Sequence, residues 1–288
     1  MVTLPAQLSP DYRFLAVIGH PIEQSLSPLM HNTAFQTLGM QCLYAAYDIE
    51  PAGLPDAVRD LKKVGFLGFS VTIPHKETII PFLDDFDFES KTLGAVNTVA
   101  LHTGQLVGYN TDVFGFLKSL EPHKPFLEKK AALVLGSGGA ARAVLYGLQK
   151  YFKLSEIVLA ARSEQKAITL IESMKMKNVR VVGFDVQSVP SQQFSLIVNT
   201  TPVGMYPKEN LSPLSESFRI LDSQIVFDLI PRPLETTLVK RAKKAGAIAM
   251  GGLEMLIQQG ARAFEIWTGE KMPLEEVRKA IAERLKTW

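Results

Sequence analysis

The chain has 288 residues, 47% of them hydrophobic and 21% charged, a globular composition long enough for two medium domains. Its 31 basic and 29 acidic side chains leave a formal net charge of +2, too weak a field to imply nucleic acid or an anionic membrane as partner. No apolar run approaches the roughly 18 residues of a membrane span, and the one cysteine, Cys42, permits no internal disulfide and fits a cytoplasmic location.

Residues 14–18 are a short apolar run closed by Gly19, which predicts a buried strand. Ser27-Pro28 then reads as N-cap and N1 proline of a helix over 28–38 that Gly39 stops. A second strand covers 42–49. Pro55 opens a second helix that runs to Lys63, with Gly65 beyond it, and 66–71 is a third strand. Residues 91–95 look like a short helix end. The runs 98–101 and 106–109 flank the turn His102-Thr103-Gly104-Gln105, a hairpin signal. Asp112 is placed to cap a helix over 113–120. The polar, proline-bearing stretch 121–130 reads as a linker. Strands at 131–135, 157–161, 179–184, 196–198, 226–228 and 247–250 then alternate with helices at 140–150, 164–176 and 234–245, and two helices, 253–268 and 273–286, close the chain. Strands spaced by helices predict an α/β protein: an N-terminal α/β domain with a mostly parallel sheet, then a Rossmann-type domain. The opening MVTLPAQLSPDYR has no basic stretch leading into an apolar one, so no signal peptide is expected. The five histidines lack HxxxH and HExxH spacing, so no metal site is expected.

Gly136-Ser137-Gly138-Gly139-Ala140-Ala141 fits G-x-G-x-x-A between a strand and a helix. Gly136 can make the tight turn, Gly138 can let the backbone approach a pyrophosphate, and a small Ala141 allows close helix–sheet packing. The helix start adds N–H groups and positive dipole for phosphates. A glycine-rich connection with no ligand is the bland alternative. The next strand ends in Ala161-Arg162-Ser163, without the Asp or Glu that would hold a ribose 2′-hydroxyl. A guanidinium there pairs with a 2′-phosphate, so NADP is favoured over NAD, against the alternative of an ordinary surface arginine.

The first half carries four polar clusters at strand ends or turns: Ser25-Leu-Ser27-Pro, Ser70-Val-Thr72-Ile-Pro-His-Lys76, Gly94-Ala-Val-Asn97-Thr and Gly108-Tyr-Asn110-Thr-Asp112. Open α/β sheets bind ligands outside the carboxyl ends of their strands, where these clusters could converge. Ser25 and Ser27 offer donors for a carboxylate. Lys76 and Asp112 are an acid–base pair in the making, since oxidising an alcohol by hydride loss requires removal of the hydroxyl proton. Each residue also has a local use: Ser27 and Asp112 as helix caps, Asn97 in its own turn, Lys76 as a solvated loop lysine.

Read together and in order, these phrases resemble the shikimate dehydrogenase family over nearly the whole chain. The phrases are Gly19-His-Pro-Ile with Ser25-Leu-Ser27-Pro, Val71-Thr-Ile-Pro-His-Lys76, Gly94-Ala-Val-Asn-Thr98, Tyr109-Asn-Thr-Asp112, Gly136-Ser-Gly-Gly-Ala-Ala-Arg-Ala143, Asn199-Thr-Thr-Pro-Val-Gly-Met205, and Gly252-Leu-Glu-Met-Leu with Gln259-Gly-Ala. The resemblance implies reversible NADP-linked reduction of 3-dehydroshikimate to shikimate in aromatic amino acid synthesis. It implies Lys76 as catalytic acid/base beside Asp112, Ser25 and Ser27 on the substrate carboxylate, and Thr72, Asn97 and Gln259 on ring hydroxyls. It assigns Gly136, Ser137, Gly138, Gly139 and Ala140 with Ala161, Arg162 and Ser163 to the cofactor, and lays Thr200, Met205 and Gly252 along it. It implies a substrate domain of 1–112 plus 253–288, an NADP domain of 113–252, and a monomer or homodimer with a small-molecule substrate. The chain departs from the family at Pro231, where a tyrosine is common, at Glu254, where a glycine is frequent, and at Ser70, where asparagine is. A quinate/shikimate dehydrogenase, a methylenetetrahydrofolate dehydrogenase and a non-catalytic dinucleotide sensor are the alternatives. No pterin motif favours the second, and Lys76 with Asp112 argues against the third.

Overall fold

The computed structural model describes residues 11–286 apart from 185, 187 and 188. Most of the opening segment behind the signal-peptide expectation therefore lies outside the described residues. In chain order the elements are β1 (Arg13–Gly19), α1 (Ser27–Thr37), β2 (Cys42–Asp48), α2 (Leu54–Val64), β3 (Gly68–Val71), β4 (Asp85–Phe86), α3 (Phe88–Leu93), β5 (Thr98–His102), β6 (Gln105–Tyr109) and α4 (Asp112–Leu120). There follow α5 (Lys124–Leu127), β7 (Ala131–Leu135), α6 (Gly139–Tyr151), β8 (Glu156–Ala161), α7 (Glu164–Ser173), β9 (Val179–Gly183), β10 (Phe194–Asn199), β11 (Ile225–Asp228), α8 (Thr237–Lys244), β12 (Ile248–Met250), α9 (Leu253–Thr268) and α10 (Leu274–Lys286). The described residues form two compact units, one reaching to Thr111 and resuming at Gln259, the other Asp112–Gln258.

In the first unit the strand order is β2-β1-β3-β5-β6-β4. β1 pairs in parallel with β2 and β3, so it is covered on both edges, and its residues from Leu15 onward are buried. That is why its sequence is an uninterrupted apolar run. One face of the sheet packs on α2, whose Leu54, Val58 and Leu61 repeat at helical spacing against Ala16, Ile18, Phe69 and Val71. The other face carries an aromatic group: His31 and Phe35 of α1, Tyr44 of β2, and Phe264 and Trp267 of α9. Gly68 makes room for it. A Cβ there would run into the Trp267 indole, whose N–H donates to the Val99 carbonyl at 2.9 Å.

The second unit has six parallel strands in the order β12-β11-β10-β7-β8-β9. The first strand of this unit, β7, lies in the middle, and the chain leaves it in one direction through β8 and β9 and in the other through β10, β11 and β12. This doubly wound order puts a topological switch point at the carboxyl ends of β7 and β10, the place where such sheets bind ligands.

Two local expectations change, at residues 121–130 and at Ser27. The first sheet is mostly parallel, as expected, with the β5–β6 hairpin supplying its antiparallel pairs: β5 runs against both β3 and β6. That hairpin turns at Thr103 and Gly104, both at positive φ, the two-residue geometry that matches strand twist. Residues 121–130 are not an open linker: Glu121–His123 is a 3-10 turn leading into α5, and Leu127 is buried. Proline is at home in a first helical turn, which makes it a poor linker signal. Ser27 is not the cap of α1, because Leu26 holds that position and Ser27 is already helical. β4, two residues long, is too short to show periodicity.

Gly68→Ala should cost about 1–3 kcal/mol through forced displacement of Trp267. The check is a lower urea midpoint at unchanged denaturant slope.

Candidate active site

Each unit gathers its chemistry at the carboxyl ends of its strands. In the first unit β1 ends at Gly19, where an added Cβ would strike the Thr72 methyl and stand 3.0 Å from the Ile73 carbonyl oxygen. His20 N donates to that same carbonyl at 2.9 Å, so the turn entering Ser25 and the turn entering Lys76 lean on each other. The Ser25 hydroxyl oxygen accepts from Ser27 N at 3.3 Å, which puts the two serines on one tight bend at the start of α1. The Thr72–Lys76 turn is pinned from beneath by buried His75, whose Nε2 donates to the Ile49 carbonyl at 2.6 Å. Val96 N donates to the Lys76 carbonyl at 2.7 Å, fastening this turn to the loop that carries Asn97.

Asn97 is buried and saturated. Its amide nitrogen donates to Thr111 Oγ1 at 3.0 Å and to Gln259 Oε1 at 3.2 Å, and its oxygen accepts from Thr111 N at 2.7 Å and Thr98 Oγ1 at 3.1 Å. Thr111 Oγ1 also lies 3.3 Å from Gln259 Oε1. Residues 97, 111 and 259 thus form one polar set, although 162 residues separate its ends. Lys76 belongs to the first unit, half-buried. Asp112 is the first residue of α4 in the second unit, 6% exposed.

In the second unit Gly136 sits at φ +102°, its N–H on the Ala160 carbonyl at 2.8 Å. A Cβ there would lie 2.8 Å from Thr200 Oγ1 and Thr201 Cγ2. Gly138 caps α6 with extended backbone and has nothing within 4 Å of where a Cβ would stand. Ser137, Gly139 and Ala140 are only half-buried around it. A tight turn, open space over the second glycine and a helix start without a side-chain cap fit a pyrophosphate. Ala161 is buried at the end of β8, Arg162 is exposed beyond it, and Ser163 caps α7 by accepting from Lys166 N at 3.3 Å. Thr200 donates both its N–H and its hydroxyl to the Leu135 carbonyl, which joins β10 to β7 at the switch point. Met205 is 37% exposed on the same loop. Gly252 N donates to the Ile230 carbonyl at 3.0 Å, and any Cβ at 252 would strike the Leu229 carbonyl.

One buried group escapes the sequence reading. Asp228, at the end of β11, is 0% exposed and accepts from Asn199 Nδ2 at 2.9 Å, Thr236 Oγ1 at 2.7 Å and Ile230 N at 3.2 Å. Asn199 in turn accepts from Thr201 N and Oγ1. The set holds together the 199–205 loop, the 228–231 loop and the start of α8, the segments bearing Thr200, Met205 and Pro231. An acid closing an apolar strand was the available signal. Among the described residues no three His, Cys, Asp or Glu side chains group as metal ligands, and no helix is long and apolar enough to cross a membrane.

Burial raises the Asp228 carboxyl to about 6, against the three hydrogen bonds that favour its ionised form. The folded state therefore holds a proton that the unfolded state releases near pH 4. Stability should fall as pH rises from about 4 to 6, by on the order of 2 kcal/mol, and be flat in this contribution above that. Asp228→Asn should remove that slope in urea titrations run across the window.

Two family models match the chain: the shikimate dehydrogenase substrate binding domain over residues 17–99 and the shikimate 5'-dehydrogenase C-terminal domain over 252–282. The shikimate dehydrogenase (NADP(+)) of Methanopyrus kandleri is 40% identical over 291 residues, spanning 99% of this chain and all of that protein. A solved shikimate dehydrogenase in complex with NADP+ superposes with a TM-score of 0.89 at 38% identity, covering 99% of both chains. The Thermus thermophilus enzyme in complex with NADP(H) and shikimate superposes at 0.82 and 36% identity, over 95% of this chain and 99% of that one. With near-complete coverage on both sides, and with the glycine turn, the Lys76 turn and the Asn97–Gln259 set all in register with strand ends, this chain belongs to the shikimate dehydrogenase family.

Proposed function

We propose that the protein catalyses the NADP-dependent, reversible reduction of 3-dehydroshikimate to shikimate, in the cytoplasm. The observation that carries this reading is the joining of buried Asn97 and Thr111 with half-buried Gln259 into one polar set, fastened through Val96 to the turn that bears Lys76. A polyhydroxylated ring needs several fixed donors and acceptors around it, and such a set beside a lysine supplies them. The first unit is the substrate side of this reading and the second the cofactor side.

Ser25 and Ser27 receive the substrate carboxylate. The Ser25 oxygen accepts from the Ser27 N–H, which leaves the Ser25 hydrogen to donate outward. Thr72 and Gln259 hold ring hydroxyls, and Asn97, whose own hydrogen bonds are met inside the protein, positions Gln259 for that role. Lys76 donates a proton to the ketone oxygen as hydride adds to the carbonyl carbon, and takes it back in the oxidising direction. Asp112 is the second catalytic residue of this reading. NADPH supplies the hydride when bound. Its phosphates fall to the Gly136–Ala140 turn and the start of α6, and its 2′-phosphate to Arg162, where no acid at the end of β8 would repel it. The names of the relatives, which give NADP and shikimate as their ligands, support the same assignment.

Lys76→Ala should lower kcat by about 10²- to 10⁴-fold while leaving the NADPH Kd, read by fluorescence titration, unchanged. Near-normal turnover would remove Lys76 from the chemistry. Arg162→Ala should weaken NADPH by roughly 10- to 100-fold, the equivalent of a lost charge-assisted pair, and NADH far less. Equal losses for both would make Arg162 structural. Initial rates of NADPH formation with shikimate and with quinate, each tried with NADP and with NAD, test the reaction itself. The shikimate–NADP pair should have the highest kcat/KM. Comparable values with quinate and NAD would mean a broader enzyme, and no turnover with any pair would mean a sensor.

A further inference from the structure

The buried acid that closes β11 has no part in the roles above, yet its two oxygens join three segments. Asp228 Oδ1 takes the Asn199 side chain from the end of β10 and the Ile230 N–H from its own loop, and Oδ2 takes the Thr236 hydroxyl. Each partner passes the fixation on. Asn199 Oδ1 accepts from Thr201 N at 3.0 Å and Thr201 Oγ1 at 2.7 Å, and Thr201 Oγ1 accepts from Val203 N at 3.2 Å. Thr236 Oγ1 caps α8 by accepting from Val239 N at 3.2 Å. The backbone adds two ties: Leu229 N donates to the Asn199 carbonyl and Gly252 N to the Ile230 carbonyl, both at 3.0 Å. Gly204, at φ +107°, completes the fit, since a Cβ there would stand 3.4 Å from Ile230 Cδ1 and 3.6 Å from Thr236 Cβ. One carboxylate thus governs the loop after β10, the loop after β11 and, through Ile230, the turn after β12.

All three lie on one side of the switch point, because the strand order is β12-β11-β10-β7-β8-β9. Arg162 lies on the other side, beyond β8. A dinucleotide on such a sheet spans the reversal, with one half on each side. Arg162 and the Gly136–Ala140 turn take the adenosine half and the phosphates in the functional reading, which leaves the nicotinamide half to Thr200, Met205 and Gly252. Those three residues stand on the segments that Asp228 ties. Among the described residues, no hydrogen bond of Asp228 goes to residues 136–140 or 161–163. The two halves of the cofactor site are therefore built by separate sets of contacts.

We propose that Asp228 is a positioning residue for the nicotinamide half of the cofactor, and that the adenosine half binds independently of it. The proposal rests on the functional reading above and adds to it the residue that sets the hydride-bearing end. Removing the carboxylate leaves the Asn199 amide, the Ile230 N–H and the Thr236 hydroxyl short of an acceptor. The loops they belong to then lose their fixed arrangement, and a displaced nicotinamide loses rate as well as affinity.

The test is calorimetric titration of the full chain with NADPH and with adenosine 2′,5′-bisphosphate, which has the adenosine half and its 2′-phosphate but no nicotinamide. Wild type, Asp228→Ala, Asp228→Asn and Thr236→Val are compared, with shikimate–NADP kinetics beside them. Asp228→Ala should raise the NADPH Kd on the order of 10-fold and lower kcat by about 10- to 100-fold, with the bisphosphate Kd unchanged. Asp228→Asn keeps one oxygen for Asn199 and Ile230 and should restore most of both losses. Thr236→Val breaks only the α8 arm and should weaken NADPH by a smaller factor, again without affecting the bisphosphate. Equal losses for the two ligands overturn the proposal, since Asp228 would then merely hold the unit together. So does wild-type NADPH binding in Asp228→Ala, or an Asp228→Asn variant as impaired as Asp228→Ala. If Asp228→Ala fails to fold, Thr236→Val decides by the same contrast between the two ligands. Wild type that does not bind NADPH overturns the functional reading and this one with it, whereas wild type that binds it and variants that match wild type overturn only this one.

Discussion

A buried amide with no spare valence is the constraint on which the first unit's chemistry depends. Asn97 sits where water cannot reach it, so each of its donors and acceptors needs a protein partner or costs a desolvation penalty. The partners come from β5, from the turn before α4 and from α9. Satisfying one side chain thus fixes three segments that are remote in sequence. The Lys76 turn is then drawn to the same place by a backbone bond to Val96, and His75 keeps it there from below. Position at this site is a by-product of hydrogen-bond accounting.

The second unit repeats the device with different residues. Asn199 closes β10 as an acceptor for its own turn and a donor to Asp228, which collects two more donors from the 228–231 loop and α8. In both units an asparagine at a strand end, before β5 in the first and closing β10 in the second, converts a flexible connection into a fixed ledge. The glycines complement it. Gly136 and Gly252 stand where a Cβ would press on Thr200 and Thr201 or on the Leu229 carbonyl, so the backbone can come closer to its neighbours than any side chain would permit. Rigid ledges next to open glycine turns are what a hydride donor and its acceptor require, since small displacements of the reacting atoms cost large factors in rate.

Departures from the local expectations share one cause. Ser27 offered the composition of a cap, but the preceding bend carries Leu26 into that position and leaves the Ser25 oxygen to take the Ser27 N–H. The stretch 121–130 offered the composition of a linker, but Leu127 finds a buried seat and the prolines fall in first turns, where they do no harm. In each case a short-range signal with two compatible outcomes was resolved by packing.

The amino-acid sequence alone was enough for the alternation of strand and helix, the glycine turn, the absence of an acid after β8, and the polar residues that cluster at strand ends. These are properties of periodicity, backbone freedom and charge within a few residues, and they need no knowledge of distant contacts. Only the folded chain decided that Gln259 meets Asn97, that the hairpin reverses β5 within the first sheet, and that Asp228 is buried among three donors. Those outcomes depend on which surfaces pack together across more than a hundred residues or across neighbouring strands. Local pattern carries no information about such pairings, because their energy exists only once the core has closed.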